Sequence, residues 1–530
     1  MIDMHQYRAA PRWLLTLALT GCAAVAPAPA DPPAPEQASV TATADVYQLP
    51  DLPTGEPVSA SEYASRREAL AAEVGDGVLL VLGSRAPAAD YLPYQQTPAF
   101  QYLTGITEPD AALVIIKNDG DVTERLFVRP RNPSREVWEG ARLGADGAEL
   151  LTGISSAPVS ALVPVLDSLL ADGGTLYTNE TLADGPDPLA TRSPEQQIIA
   201  QLAARNPGVG IVPIGSTVQT LRGAKSATEL DLIRRAVNIT VVAQRAAMRA
   251  IEPGMNEFEI QALIEYTFRR NGADGSSFST IVGSGPNATT LHYRADDRYM
   301  EPADMVVMDI GASYRGYAAD ITRSVPVSGT FSPEQREIYG IVLEAQKAAE
   351  SLVRPGATWL ELGAAVDDVL AAGLAELGLI DAPYATYDCG PEGSPALCPQ
   401  FRLFYMHGLG HGIGLQVHDP DVSFARGFQL GSAFTIEPGL YIRSDALAYL
   451  PDTPANRELI RRLRPAVVRY ENIGVRIEDD YFLASNGLER VSAGAPREIA
   501  EIEVLMNLPS LLTAERLPAV VDWYGETDWR

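Results

Sequence analysis

Three apolar runs of strand length each carry a carboxylate inside them. Asp309 follows Val306, Val307 and Met308 in DMVVMDIGA, and Glu437 follows Phe434, Thr435 and Ile436 in AFTIEPGLYI. Glu478 follows Val475, Arg476 and Ile477 in NIGVRIEDDYFLA. An isolated buried carboxylate either costs several kcal/mol or takes up a proton. Any fold for this chain must therefore bring arginine, hydrogen-bond donors or a metal to these points. For one acid alone a buried salt bridge is the simpler account. Three such acids beside a histidine cluster point to metal. A fourth carboxylate, Asp320, lies in DIGASYRGYAADITRS, where YRGY reads as a hairpin turn that returns the chain to the same site.

The chain has 5 histidines in 530 residues. His407, His411 and His418 crowd into FYMHGLGHGIGLQVHD, His292 stands in TLHYRADD, and only His5 lies elsewhere. One imidazole with four carboxylates is a hard, oxygen-rich donor set. It suits manganese, cobalt or another two-plus ion better than a thiolate-rich structural zinc site does. Four carboxylates exceed what one ion needs, so two ions sharing bridging carboxylates balance better. GLGHGIG lacks the strand–turn–helix context of a dinucleotide loop.

The length calls for two or more domains, and 46% hydrophobic with 21% charged residues is ordinary globular composition. A net charge of −27 argues against a nucleic-acid partner, which needs a basic face. Residues 1–22 read as a lipoprotein-type signal peptide. Arg8 and Arg12 precede an apolar run from Trp13 to Leu19, and LTGC ends at Cys22 as a bacterial lipobox does. That run is too short to span a membrane. Acylation of Cys22, with Ala23 next, sends the chain to the periplasm, anchored to the outer membrane. Residues 23–56 form a Pro/Ala-rich tether.

Residues 57–215 mix helices (SASEYASRREALAAEV, VSALVPVLDSLLADGG) with strands (DGVLLVLG, AALVIIKNDG). The Gly/Pro-containing RNPGVGIVPIGSTVQTLRGAKS marks a boundary. A second domain, 222–505, opens with a helix whose Leu230, Ile233, Val237 and Val241 follow helical spacing. In its SPEQREIYG helix, Ser332 and Gln335 make a capping box with Pro333 in the first turn. Cys389 and Cys398 enclose a Gly/Pro-rich loop, which in an oxidising compartment reads as a disulfide. A zinc knuckle is disfavoured, because no further Cys or His stands at suitable spacing. Residues 506–530 form a tail.

Asp309, Asp320, His411, Glu437 and Glu478 resemble the five ligands of the pita-bread metallopeptidases, the group of aminopeptidase P, prolidase and creatinase. STIVGSGPNATTLHY, VMDIGASYRGYAADITRS, HGLGHGIGLQVHD, FTIEPGLY and GVRIEDD stand in that family's order. YLPYQQTPAFQYLTGITEPDAALVII and VWEGARLG resemble the N-terminal domain of aminopeptidase P. The resemblance implies an α+β chain of two domains, a mixed α/β creatinase/prolidase-like domain followed by a pita-bread catalytic domain. It implies a dinuclear-metal aminopeptidase, with Mn2+ expected and Co2+ or Zn2+ able to serve, that cuts between an N-terminal residue and a following proline. An Xaa-Pro dipeptidase and a non-catalytic binding module are the alternatives. By the same resemblance Asp320 and Glu478 bridge two ions, Asp309 completes one shell, and His411 and Glu437 complete the other. Glu437 relays the proton, His292 stabilises the transition state, and His407 and His418 line the cleft. Arg476 pairs with a carboxylate, and Tyr441 adds a hydrogen bond to the site or is a structural hydroxyl. Trp138 reaches the cleft of a neighbouring subunit in a homo-oligomer, or is a plain interface or core residue. Two segments depart from the family pattern, the Cys389–Cys398 loop and the insertion at 443–470.

Overall fold

The computed structural model describes residues 56–87, 94–179, 192–391, 394, 396–420 and 427–510. The signal sequence, nearly all of the tether and most of the C-terminal tail therefore lie outside the described residues.

The first half is built on a six-stranded sheet. Its spatial order is Ser156–Pro158, Asp121–Val128, Ala112–Asn118, Gly77–Leu82, Gly174–Thr178, Val209–Pro213. Gly77–Leu82 pairs antiparallel with Ala112–Asn118 and parallel with Gly174–Thr178. Its unbroken apolar sequence follows from that central place. Leu79 and Val81 enter the main core, while Val78, Leu80 and Leu82 enter a second apolar cluster. A strand covered on both faces has no polar side to show. The helix Ala60–Ala72 begins at Ser59, whose hydroxyl accepts from the Glu62 amide at 3.1 Å. The expected boundary stretch is not a bare linker. It holds the edge strand Val209–Pro213 and the helix Gly215–Leu221, so the sheet ends where the Gly/Pro composition changes.

The second half packs the helices Ala227–Ala250, Glu257–Arg270, Pro333–Leu352 and Trp359–Glu376 against short antiparallel strand groups. Both long helices, Ala227–Ala250 and Pro333–Leu352, open with capping boxes, at Ser226/Glu229 and Ser332/Gln335. Ile281–Ser284, Met305–Ile310 and Ile321–Pro326 form one group, with Thr322 opposite Asp309. Arg315 and Gly316, both at positive φ, make the two-residue turn expected in YRGY.

One expectation needs correction. Asp309 does sit within a strand, but Glu437 and Glu478 do not. AFTIEPGLYI divides into Ala433–Ile436 and Gly439–Ile442, and NIGVRIEDDYFLA into Ile473–Arg476 and Asp479–Ala484. The two glutamates occupy the breaks. Continuous pleating would send alternate side chains to opposite faces; interrupting it frees each carboxylate to turn into the site.

Candidate metal centre

The carboxylates converge on His411. Its Nε2 lies 3.6 Å from Asp320 Oδ2, 3.6 Å from Glu437 Oε1 and 4.0 Å from Glu478 Oε1. Donor atoms of Asp320, His411 and Glu478 all fall within 4.8 Å of one another. Backbone bonds hold the histidine in register with its glutamate. Thr435 N donates to His411 O at 2.8 Å, and Glu437 N to Leu409 O at 2.8 Å. Gly410 is needed for that approach, since a Cβ there would collide with the Thr435 carbonyl oxygen. His411 Nδ1 lies 3.1 Å from Gly412 O. A proton on Nδ1 satisfies that carbonyl and leaves the Nε2 lone pair facing the acids.

Asp309 joins the cluster through Arg476. The guanidinium NH2 lies 2.5 Å from Asp309 Oδ2, Nε donates to Thr322 Oγ1 at 3.1 Å, and Thr322 in turn donates to Glu478 Oε2 at 2.7 Å. Arg476 therefore does pair with a carboxylate, and it is Asp309. Its NH1 donates to Tyr441 Oη at 2.9 Å, and that oxygen lies 2.8 Å from His407 Nε2. His407 Nδ1 is 2.8 Å from Gly408 O, so a single direction of donation, from Arg476 through Tyr441 and His407 to a carbonyl, satisfies every atom. His407 Nδ1 is also 3.8 Å from Glu437 Oε2.

The electrostatics of the cluster are those of acids crowded together out of water. Burial, reinforced by Glu478, Asp309 and other acids, drives the Asp320 carboxyl well above its ordinary range. Burial and Glu478 do the same to Glu437. Burial and Asp309 push Glu478 up to about 7. Burial and His418 push His411 down to about 4, keeping the imidazole neutral. Among the described residues no donor reaches Asp309 Oδ1, Asp320 Oδ1 or Glu478 Oε1, all buried. Crowded, unanswered carboxylate oxygens and a neutral imidazole nitrogen fit divalent cations.

His418 and His407 adjoin this centre. His418 is exposed, and its ring centroid lies 4.2 Å from that of His411. Burial and the nearby Arg476 push His407 down to about 3, and the charge of His292 also reaches it. His292 is itself exposed. Trp138 is 76% exposed, which excludes a core role within this chain.

Several supporting residues gave no sequence signal. Gln244 Nε2 donates to the carbonyls of Met308 and Ile321 at 3.0 and 2.7 Å. Gln346 Nε2 donates to those of Ile436 and Ile477, both at 3.1 Å. Glu257 accepts from Ser284 N, Tyr293 Oη and Arg298 N at 2.6, 2.9 and 3.0 Å, bracing the loop that carries His292. Asp419, beside His418, is gripped by Arg222 and by Lys225, the latter at 2.8 Å. Asp480 accepts from Asp320 N at 3.0 Å. In sequence each is an ordinary polar residue of a helix, loop or strand. A buried Gln in a helix face, such as Gln244 in VVAQRAAM, is the one pattern that could have raised suspicion.

Residues 231–484 match the model of metallopeptidase family M24, and residues 63–177 match that of the aminopeptidase P N-terminal domain. The chain is 34% identical over 459 residues to the Xaa-Pro aminopeptidase of Escherichia coli K12, covering 85% of this chain and 98% of that one. It is 30% identical over 471 residues to mouse (Mus musculus) Xaa-Pro aminopeptidase 3, covering 86% and 87%. Among solved structures it resembles E. coli aminopeptidase P with the inhibitor Pro-Leu, at TM-score 0.70 and 33% identity over 85% of this chain and 99% of that one.

Proposed function

The chain belongs to metallopeptidase family M24, with an aminopeptidase P N-terminal domain ahead of the catalytic one, and from that premise we propose a metal-dependent aminopeptidase that releases an N-terminal residue preceding proline. One observation carries the reading: carboxylate oxygens of Asp320, Glu437 and Glu478 converge on His411 Nε2, and buried oxygens of Asp309, Asp320 and Glu478 have no donor among the described residues. Asp309, Asp320, His411, Glu437 and Glu478 would hold two divalent ions. Mn2+ is the ion proposed, and Co2+ or Zn2+ would serve. Such ions supply Lewis-acid polarisation of a carbonyl and a nucleophile at neutral pH.

The chain's own residues do the rest. Arg476 pairs directly with Asp309 and holds that carboxylate in place. Glu437 takes the proton released as the scissile carbon is attacked and returns it to the departing proline nitrogen. His292 donates to the carbonyl oxygen as negative charge develops there. His407 and His418 meet the substrate, and the Arg476–Tyr441–His407 chain fixes the tautomer His407 presents. Proline has no amide proton and a fixed φ, so a cleft shaped for it is what this bond requires.

The proposal extends to location and assembly. We read the chain as exported, acylated at Cys22 and held in the periplasm at the outer membrane, as a homo-oligomer. The Cys389–Cys398 bond supports an oxidising compartment. Exposed Val137 and Trp138 support a subunit contact.

A peptide length series tests the activity. Metal-loaded protein is expected to cleave Xaa-Pro-Yaa and longer peptides, and to spare Xaa-Ala-Yaa. Cleavage of Xaa-Pro dipeptides alone would make it a dipeptidase. No cleavage by protein with bound metal would leave a binding module.

A further inference from the structure

The two segments that depart from the family pattern pack against each other. Cys389 and Cys398 are joined, with Cα atoms 5.8 Å apart, across a small hairpin of Thr386–Asp388 and Leu397–Pro399. The insertion folds into the helix Pro454–Tyr470, which Thr453 caps. Asn456, 1% exposed in its first turn, faces the hairpin. Its Nδ2 donates to Asp388 O at 2.8 Å, and its Oδ1 accepts from Asp388 N at 3.3 Å. One side-chain amide thus satisfies both backbone groups of a single residue, as a neighbouring strand would. Farther along the helix, Arg462 grips both oxygens of Asp381 at 3.0 and 2.7 Å. Asp381 accepts from Gln400 Nε2 at 3.0 Å, and Gln400, 2% exposed, also donates to Thr386 O at 3.2 Å.

Both attachments lead to His407. The hairpin's return strand runs through the turn Gln400–Leu403 to Phe404, whose carbonyl accepts from Tyr441 N at 2.9 Å. Tyr405 sets its ring edge-on to His407 at 5.0 Å. The helix lies in the connection between Gly439–Ile442 and Ile473–Arg476, the paired strands that carry Tyr441 and Arg476. His407 is therefore approached through the chain that precedes it and through its hydrogen-bond partner Tyr441, and the two approaches are tied together by Asn456 and Arg462. None of the bonds named for this pair of segments falls on Asp309, Asp320, His411, Glu437 or Glu478.

We propose that the disulfide hairpin and the Pro454–Tyr470 helix form one clasp that positions His407, with Asn456 and the Cys389–Cys398 bond as its locks. The inference rests on the reading of His407 as a residue that meets substrate. Asn456 is a positioning residue: it acts on the cleft through the hairpin and touches no reacting group. Opening either lock loosens the segment from Gln400 to His407 and weakens substrate binding, while the metal donors stay in place.

The test uses the full mature chain with its divalent metal, as Asn456→Ala and as the double variant Cys389→Ser/Cys398→Ser. Each is expected to keep its metal content and a kcat within about twofold, while KM on an Xaa-Pro-Yaa peptide rises about 3- to 10-fold. Amide hydrogen exchange should quicken in residues 400–408 and not in the strand Met305–Ile310. A thiol reductant added to folded wild type should reproduce the double variant's KM and leave that variant unchanged, which keeps the test open should one substitution misfold. Unaltered KM and exchange in both variants would overturn the clasp. So would loss of metal, or a fall in melting temperature with unchanged kinetics. If wild type with bound metal cleaves no Xaa-Pro peptide, it is the proposed function that fails, and the exchange measurement still judges the clasp.

Discussion

Gln244 and Gln346 perform the same task from two different helices. Each is fully buried, and each divides its amide between two backbone carbonyls directly beside candidate ligands. Gln244 reaches Met308 and Ile321, neighbours of Asp309 and Asp320. Gln346 reaches Ile436 and Ile477, neighbours of Glu437 and Glu478. Replacing either by leucine leaves two buried carbonyls short of a donor, a loss of about 1–3 kcal/mol. Metal affinity should fall for both variants as the acids lose their registration. Calorimetric titration with Mn2+ measures it, and unchanged affinity would confine these residues to packing.

Arg476 is the counter-charge of the metal-free site. Its removal in Arg476→Ala leaves Asp309 buried among other acids, a change that typically costs about 3–5 kcal/mol. Bound cations supply part of the lost positive charge. The drop in melting temperature should therefore be larger in chelator than in excess Mn2+. Equal drops in both would mean that the guanidinium is not compensating the acids.

The proposed function makes His411 a metal ligand and His292 a transition-state donor, and their variants separate the two roles. His411→Ala removes a first bond to metal, so occupancy and activity should fall together. His292→Ala should keep its metals and fold yet lose on the order of 10²–10³ in kcat, the usual cost of deleting such a donor. Metal content per chain beside steady-state kinetics decides the matter. Metal loss from His292→Ala equal to that from His411→Ala would reverse the assignment.

The acids also set a pH dependence for the metal-free protein. The Glu478 pKa is pushed up to about 7, above its ordinary value of 4.5, by burial and Asp309. A raised carboxyl stabilises the fold below the unfolded-state pKa, and that contribution disappears as pH climbs through the folded value. Melting temperature in chelator should therefore decline between about pH 4.5 and 7. Because ligands must lose protons to bind, added Mn2+ should release protons at pH 6 and raise the melting temperature more at pH 8 than at pH 5. A flat profile in chelator would remove the crowded-acid account.

The proposed export predicts a chemical signature. Protein isolated from its native host should begin at an acylated Cys22. Mass spectrometry finding Met1 intact, or Cys22 unmodified, would reject both the anchor and the compartment inferred from it.

The chemistry of the site was legible in the residues because burial makes charge expensive. Carboxylates set in apolar runs cannot pass as surface, and histidines are too rare here for three to crowd by chance. Helix starts were legible for a local reason. Ser226 with Glu229 and Ser332 with Gln335 complete their hydrogen bonds within one turn. The hairpin at Arg315–Gly316 is equally local. Tertiary structure decided the rest. Hydropathy does not reveal that Glu437 and Glu478 break their strands, because the residues on both sides are equally buried. Nor does spacing reveal that Arg476 answers Asp309 rather than the nearer Glu478, or that Gln244 and Gln346 brace the strands. The tie between Asn456 and Asp388 is as long-range. Those partners are remote along the chain, and only packing brings their donors and acceptors within reach.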